Sequence, residues 1–372
     1  MPPAPPRLRL VFFGTPEIAV PTLERLIAGP HAVVGVVSQP DRPRGRGRKL
    51  SPSPVAEVAL REGLPLLRPE KVGEPSCIEA LRALEPDLGV VVAFGQFLPK
   101  KIRELPTRGY LINAHASLLP KLRGAAPIAR AIAEGESETG ISVMRIEKEM
   151  DAGPTALVLR TPIGPQEDAA ELTTRLGALA ADAIAQAVDA IARDEIVWTE
   201  QDASRATFAA KIDKADAVLD LREPASRLAC RIHAVSPKPG ATLTLLPGGG
   251  SEGVDLKVSR ATTRAFAPGE RPEVGRIERV DPSVAGDGEG PLRIATGDGW
   301  LVPLVLQRPG GRPLPVADFL RGFEIAAGAR MAVVAAAAAT DEGDGAAPRA
   351  GARVEGAMST RKSAGATGRG AR

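Results

Sequence analysis

The sequence predicts a parallel α/β domain followed by a small β-barrel, and three observations carry that prediction. Short, continuously apolar runs (LRLVFF at residues 8–13, VVGVVS at 33–38, LGVVVA at 88–93) alternate with amphipathic helical stretches in the first half. Strands covered on both faces read as unbroken apolar runs, and alternation with helices is what covers a parallel sheet. From Glu200 onward the texture changes to short extended pieces separated by Gly and Pro at near-regular spacing, the pattern of a small barrel. A length of 372 residues agrees, since a single core seldom grows that large.

Taken in order, the first strand ends in Gly14-Thr15-Pro16-Glu17, where Thr15 can cap a helix and Pro16 fits its first position. That helix carries Ile18, Leu23, Leu26 and Ile27 on its apolar side. Helices are expected at 54–61 and 77–84, with a short extended piece at 65–67. The strand at 88–93 precedes a strand at 110–113, a helix at 125–133 and strand-like segments at 140–146 and 155–159. An Ala-rich helix over 169–192 closes the domain. A helix at 226–234, with Leu228 and Ile232 on one face, precedes extended pieces at 242–246, 254–258, 275–280, 292–295 and 301–307. The expected boundaries are a first domain at 7–195, a linker at 196–212, a barrel at 213–325 and an Ala/Gly/Arg-rich tail at 326–372. Disorder is expected for that tail, although its alanine run at 331–339 is compatible with a helix.

No run reaches the roughly 18 apolar residues of a membrane span, and the Pro-rich opening lacks the apolar core of a secretory signal. A cytoplasmic protein with no membrane partner is therefore expected; a monomer is a separate expectation that these features do not address. Cys77 and Cys230 lie far apart without metal-ligand spacing, which predicts ordinary buried thiols and no metal site. Only His31, His115 and His233 compete for proton chemistry. The net charge of +3 is too small to establish a nucleic-acid partner; where the charge sits matters more.

The richest segment is Asn113-Ala-His115-Ala-Ser117-Leu-Leu-Pro120-Lys-Leu-Arg123-Gly124-Ala-Ala-Pro127. Asn113 and His115, two apart at a strand's end, point to the same side, and strand carboxyl ends are where such sheets bind ligands. An Asn-x-His taken alone is equally a capping Asn and a satisfied core His. The run Ser117 to Pro120, then Arg123 to Pro127, then Glu138-Thr139-Gly140-Ile141-Ser142 and Met150-Asp151-Ala152-Gly153, strongly resembles the folate-dependent formyltransferases in order and spacing. The resemblance implies a Rossmann-like parallel-sheet formyltransferase domain, with 10-formyltetrahydrofolate as formyl donor and Asn113, His115 and Asp151 as the catalytic trio. In that chemistry an amine attacks the formyl carbon and negative charge builds on the formyl oxygen. Asn113 and a protonated His115 would donate to that oxygen, each such donor being worth about 3 kcal/mol in the transition state. Asp151 would keep His115 charged and help move a proton off the attacking nitrogen. The folate slot implied by the resemblance comprises Phe94, Gly95, Gln96, Phe97 and Leu98 together with Ser117, Leu118, Leu119 and Pro120. No Gly-x-Gly-x-x-Gly follows the first strand, which argues against a dinucleotide enzyme.

The acceptor amine is narrowed by Gln39-Pro-Asp41-Arg42-Pro-Arg44-Gly-Arg46-Gly-Arg48-Lys49, a Gly-interspersed run of cations with one acid. Composition alone allows a solvated linker. The string resembles the basic arm of methionyl-tRNA formyltransferases, which implies that Arg42, Arg44, Arg46, Arg48 and Lys49 meet tRNA, Arg46 in the key position. Thr207-Phe208-Ala-Ala-Lys211-Ile212, Ser236-Pro237-Lys238-Pro239-Gly240-Ala241 and Thr296-Gly297-Asp298-Gly299 with Gln307 resemble elements of the same family's C-terminal module. On that match Lys211 is a tRNA contact and the barrel is an OB-like second surface for the tRNA. The resemblance covers residues 8–324. It departs at His233, where relatives usually carry Arg, at Val235 and Lys238, which replace aromatics, and at Ala114 and Ala116 beside His115. The implied activity is formylation of initiator methionyl-tRNA for translation initiation. Two other readings share parts of the pattern. A formyltransferase acting on a sugar-nucleotide amine would need the trio but neither arm nor barrel. A tRNA-binding protein with an inactive transferase domain would need arm and barrel but no trio.

Overall fold

A computed structural model describes residues 6–44, 49–247, 252–280 and 290–334. In chain order its first part runs β1 (Arg9–Gly14), α1 (Val20–Ile27), β2 (Ala32–Val37), β3 (Arg42–Arg44), β4 (Lys49–Ser51), α2 (Pro54–Arg61), β5 (Leu66–Leu67), α3 (Pro75–Ala83), β6 (Leu88–Val92), α4 (Lys100–Arg103), β7 (Leu111–His115), β8 (Arg123–Gly124), α5 (Pro127–Ala133), β9 (Glu138–Arg145), β10 (Thr155–Pro162) and α6 (Ala169–Ala192). The main sheet has the order β10-β9-β7-β6-β1-β2-β5.

From β5 through β7 every neighbouring pair is parallel, as the apolar runs predict. One edge corrects the expectation: β9 is antiparallel to β7, and β10 is antiparallel to β9. The connection at 146–154 is too short for a helical crossover, so β9 and β10 close as a hairpin. Alternation along β1 shows why both faces are covered. Leu10 and Phe12 join a core built with α1 and α6, whereas Val11 and Phe13 join a second core with Cys77, Ile78 and Leu81 of α3. The long α6 starts on a capping box in which Asp168 accepts from Glu171 N and Glu171 reaches back to Asp168 N. Such caps contribute about 1 kcal/mol. Thr15 does not cap a helix, contrary to expectation. Its hydroxyl donates to Phe94 O at 2.9 Å, and Pro16 precedes a short 3-10 turn that leads into α1.

The second part comprises β11 (Phe208–Ala209), α7 (Ala225–Ala234), β12 (Ala241–Leu246), β13 (Val254–Ala265), β14 (Ile277–Arg279), β15 (Leu292–Ala295), β16 (Gly299–Gln307), β17 (Leu314–Pro315), α8 (Val316–Gly322) and β18 (Arg330–Met331). Its antiparallel sheet has the order β14-β15-β16-β13-β12-β18, with β17 beside β16. Met331 N donates to Gly275 O at 2.8 Å, which brings β18 against the segment leading into β14 and nearly closes the barrel. Three sequence expectations change here. Strand β13 runs on to Ala265 because β16 pairs with its whole second half. Helix α8, which buries Val316 and Phe319, is not among the elements the sequence pattern predicts. The tail begins later than 326: Met331 is extended and pairs with Leu245, and Leu221 N donates to Val333 O. The rest of the alanine run and tail lie outside the described residues.

Candidate active site

Strand β7 sets the site. It lies between parallel β6 and antiparallel β9, with Asn113 opposite Val91 on one side and Met144 on the other, and His115 opposite Ser142. The two-residue spacing puts both polar side chains on one face at the strand's carboxyl end. His115 is 6% exposed. Its Nε2 lies 2.9 Å from Leu122 O; a carbonyl only accepts, so this nitrogen carries the proton. Its Nδ1 lies 3.6 Å from Asp151 Oδ2, an ion-pair contact slightly beyond hydrogen-bond reach. That gap leaves the Nδ1 side able to face a ligand as well as the carboxylate. Among the described residues the Asn113 amide has no protein hydrogen-bond partner, so its donors remain available.

Asp151 arrives from the loop between β9 and β10 with a left-handed φ of 52°. Its Oδ2 accepts from Gly124 N at 2.9 Å. Gly124 has φ 118°, and a Cβ there would stand 2.9 Å from Ala209 O, so only glycine fits this approach of β8 to β11. Ser142 Oγ donates to Ser117 O at 2.7 Å and accepts from Leu119 N at 3.1 Å. Ser117 Oγ donates to Lys121 O, which folds Ser117 to Leu122 into a tight turn beside the histidine. Leu118, Leu119 and Pro120 of that turn line a recess of about 360 Å³, with Thr139, Arg160 and Arg205 on its other walls.

The other expected folate residues divide. Phe94 is buried edge-on against Phe13, with ring centroids 5.6 Å apart, and Leu98 packs in the same core. Gln96 is tied back: its Oε1 accepts from Val72 N and its Nε2 donates to Pro69 O. Phe97 is 72% exposed. Gly95 adopts φ 81° beside Gln39, whose Nε2 donates to Phe94 O. No group of His, Cys, Asp and Glu able to hold a metal occurs among the described residues.

In the basic arm, β3 and β4 pair as an antiparallel ribbon, with Arg42 opposite Ser51, Pro43 opposite Leu50 and Arg44 opposite Lys49. Asp41 accepts two hydrogen bonds from Arg68, each 2.8 Å. The only acid of the arm is thereby occupied from outside it. Arg42 and Lys49 are exposed, Arg42 lying 3.7 Å from Glu70. Arg46 and Arg48 lie outside the described residues, and Arg44 is placed only by its backbone in β3. Lys211 is exposed, and its carbonyl accepts from Arg130.

The other two histidines are structural. His31 Nδ1 accepts from Leu8 N and its Nε2 meets Asp189. His233 is buried and its Nε2 accepts from Ala261 N, so its place in the family pattern is a packing role. Gln201, which belongs to none of the sequence motifs, bonds through its side chain to Arg123, Asp151 and Gly153. No local signal marks it, because its partners are distant in sequence.

Two family models match the chain: "Formyl transferase" over residues 8–188 and "Formyl transferase, C-terminal domain" over 211–324. The methionyl-tRNA formyltransferase of Roseiflexus castenholzii is 41% identical over 325 residues, covering 87% of this chain and 99% of the relative. That of Methylococcus capsulatus is 42% identical over 319 residues, covering 86% and 98%. The chain belongs to the methionyl-tRNA formyltransferase family. At the level of fold, this family member also matches more distant solved structures. An N-formyltransferase from Helicobacter canadensis, crystallised with folinic acid and dTDP-3-aminofucose, has a TM-score of 0.56 at 15% identity and covers 80% of this chain and 99% of its own. HypX from Aquifex aeolicus in complex with tetrahydrofolic acid has a TM-score of 0.51 at 16% identity, covering 85% of this chain and 47% of its own. Shared architecture at such identities shows the formyltransferase fold of the methionyl-tRNA formyltransferase family and nothing finer.

Proposed function

We propose that this protein transfers the formyl group of 10-formyltetrahydrofolate to the α-amino group of initiator methionyl-tRNA, with Asn113, His115 and Asp151 as its catalytic residues. The observation that carries the reading is the convergence of Asp151 on the Asn113–His115 face, with Oδ2 3.6 Å from His115 Nδ1, in a member of this family. The amine nitrogen attacks the formyl carbon, forming the new C–N bond. The carbon–N10 bond then breaks, the amine loses a proton and N10 gains one. The Asn113 amide, without a partner among the described residues, donates to the developing oxyanion. The His115 ring, on the same strand face, is the second donor, with Asp151 balancing its charge. Preorganised donors of this kind usually supply the largest share of acyl-transfer catalysis.

The Ser117–Pro120 turn and the loop from Phe94 to Leu98 are the proposed folate-facing segments. Arg42, Arg44, Arg46, Arg48, Lys49 and Lys211 are the proposed tRNA contacts, the ribbon meeting phosphates as point charges and forks. The proposed division of labour is catalysis in 7–195 and a further tRNA surface on the barrel beyond residue 213. The substrates are those of translation, in keeping with a cytoplasmic location, and no helix among the described residues is long and apolar enough to cross a membrane.

The deciding experiment measures transfer from 10-formyltetrahydrofolate to initiator methionyl-tRNA, with uncharged tRNA and a sugar-nucleotide amine as alternative acceptors. Formylation of the charged tRNA alone is expected. Transfer to the sugar nucleotide and not to methionyl-tRNA would move the acceptor; folate binding with no transfer to either would leave an inactive tRNA-binding protein.

A further inference from the structure

The segment joining the two domains contributes Gln201 to the neighbourhood of the active site. Gln201 is half-buried, and its amide is fully used. Its Oε1 accepts from Arg123 Nε at 3.1 Å and Nη2 at 2.8 Å. Its Nε2 donates to Asp151 O at 2.8 Å and Gly153 O at 2.7 Å. A guanidinium only donates and a carbonyl only accepts, so the amide has a single satisfied orientation. Leucine would make none of these bonds. Glutamate would keep the acceptor for Arg123 but set carboxylate oxygen against two carbonyls.

We propose that Gln201 is a positioning residue for formyl transfer, holding the loop that presents Asp151 to His115. The proposal rests on the role given to Asp151 above. Asp151 has φ 52°, a conformation that persists in a non-glycine residue only where surrounding structure enforces it. Gln201 grips the carbonyls on both sides of Ala152 and so fixes that turn. Its other end holds Arg123, which is buried and, among the described residues, faces no carboxylate at ion-pair distance. Arg123 precedes Gly124, the donor to the Asp151 carboxylate. One amide therefore joins the loop bearing the carboxylate to the strand that orients it.

The same segment continues this work downstream. Thr207 Oγ1 accepts from Leu122 N, Thr207 O accepts from Arg123 N, and β11 pairs with β8. Leu122 in turn offers its carbonyl to His115 Nε2. Residues 201–209 thus brace both partners of the histidine, and the interdomain segment is a wall of the active site as well as a connection.

The test uses the full chain and compares Gln201→Leu, Gln201→Glu, Asp151→Asn and the double variant Asp151→Asn with Gln201→Leu. Steady-state kcat, the KM for 10-formyltetrahydrofolate and for methionyl-tRNA, and the pH profile of kcat are read for each. Gln201→Leu is expected to lower kcat about 10- to 100-fold, the scale of a misplaced catalytic group, with both KM values nearly unchanged and a displaced pH profile. Gln201→Glu should behave alike, because it loses the donors to the Asp151 loop while keeping Arg123; it also carries the test should Gln201→Leu fold poorly. In the Asp151→Asn background Gln201→Leu should add little, since a residue acting through Asp151 has nothing left to position. Unchanged kcat and profile for both Gln201 variants, beside an inactive Asp151→Asn, would overturn the proposal. A loss that multiplies with that of Asp151→Asn would overturn it too. Near-normal turnover by Asp151→Asn would instead remove the role of Asp151, and the positioning role with it.

Discussion

Asp151 Oδ2 stands 3.6 Å from His115 Nδ1 while accepting the Gly124 amide at 2.9 Å. The carboxylate is therefore oriented by backbone, and its contact with the ring stays loose enough to share. A carboxylate held in this way can stabilise charge on the imidazole during the reaction without being the group that takes the proton for good. Replacing Asp151 by Ala is expected to lower single-turnover formyl transfer by roughly 10²–10⁴-fold. Folate binding, followed by fluorescence titration, should remain. A rate within twofold of the parent would exclude Asp151 from the chemistry.

Asn113 has no protein partner for its amide among the described residues, so its substitution leaves no buried group stranded. Asn113→Ala is expected to lower kcat by about 10²–10³-fold, the effect of one lost oxyanion donor. Thermal stability should hardly change. Rapid-quench kinetics beside a melting curve separates the two, and a fall in Tm matched by intact kcat would make Asn113 a structural residue.

Gly153 lies so close to the neighbouring strand that a Cβ would stand 2.1 Å from Arg145 O. Backbone cannot yield as a flexible side chain can, so Gly153→Ala should displace the whole Asp151 turn. A loss of about 1–3 kcal/mol in stability is expected, together with a fall in transfer rate. Chemical denaturation and a rate assay check both, and unchanged values in each would mean that the loop adapts freely.

His233 supplies a pH prediction. Burial, with the Arg260 charge nearby, lowers its pKa from the ordinary 6.5, and its Nε2 accepts from Ala261 N. The folded state therefore holds it neutral, whereas the unfolded chain binds a proton near pH 6.5. Its contribution is complete above about pH 6.5 and is lost as pH falls below it toward the depressed folded value. Tm should decline through this range in the parent and decline less steeply in His233→Gln, even if that variant is less stable throughout. Parallel slopes would show that His233 does not titrate there.

The basic arm predicts salt dependence. Removing the cation in Arg46→Ala should raise KM for methionyl-tRNA and flatten the dependence of kcat/KM on salt by about one unit of log–log slope, as one lost phosphate contact does. Folate KM should be untouched. A KM for tRNA equal to that of the parent at every salt concentration would confine the arm to a linker.

Much of the fold that frames the candidate site was legible because its signals are local. The apolar runs give β1, β2 and β6 their burial on both faces, the Asn113–His115 spacing is a property of any extended strand, and Asp168 with Glu171 forms a cap within one turn of chain. The boundary of the barrel was less legible. Arg330–Met331 reads as polar and alanine-rich tail, yet it pairs because β12 offers it an open edge. Thr15 looked like a helix cap, but the Phe94 carbonyl from a neighbouring loop claimed its hydroxyl.

The sequence by itself determined the alternation of strand and helix, the residues brought to the end of β7, and the glycines that let strands approach. These depend on side-chain period, turn chemistry and the lack of a Cβ, all of which act within a few residues. Tertiary structure decided which atoms meet across the fold: Asp151 against His115, Gln201 against Arg123 and the Asp151 loop, the antiparallel edge of the sheet. Such contacts join positions tens of residues apart, and their geometry follows from how the packed elements are stacked, information that no short window of sequence contains.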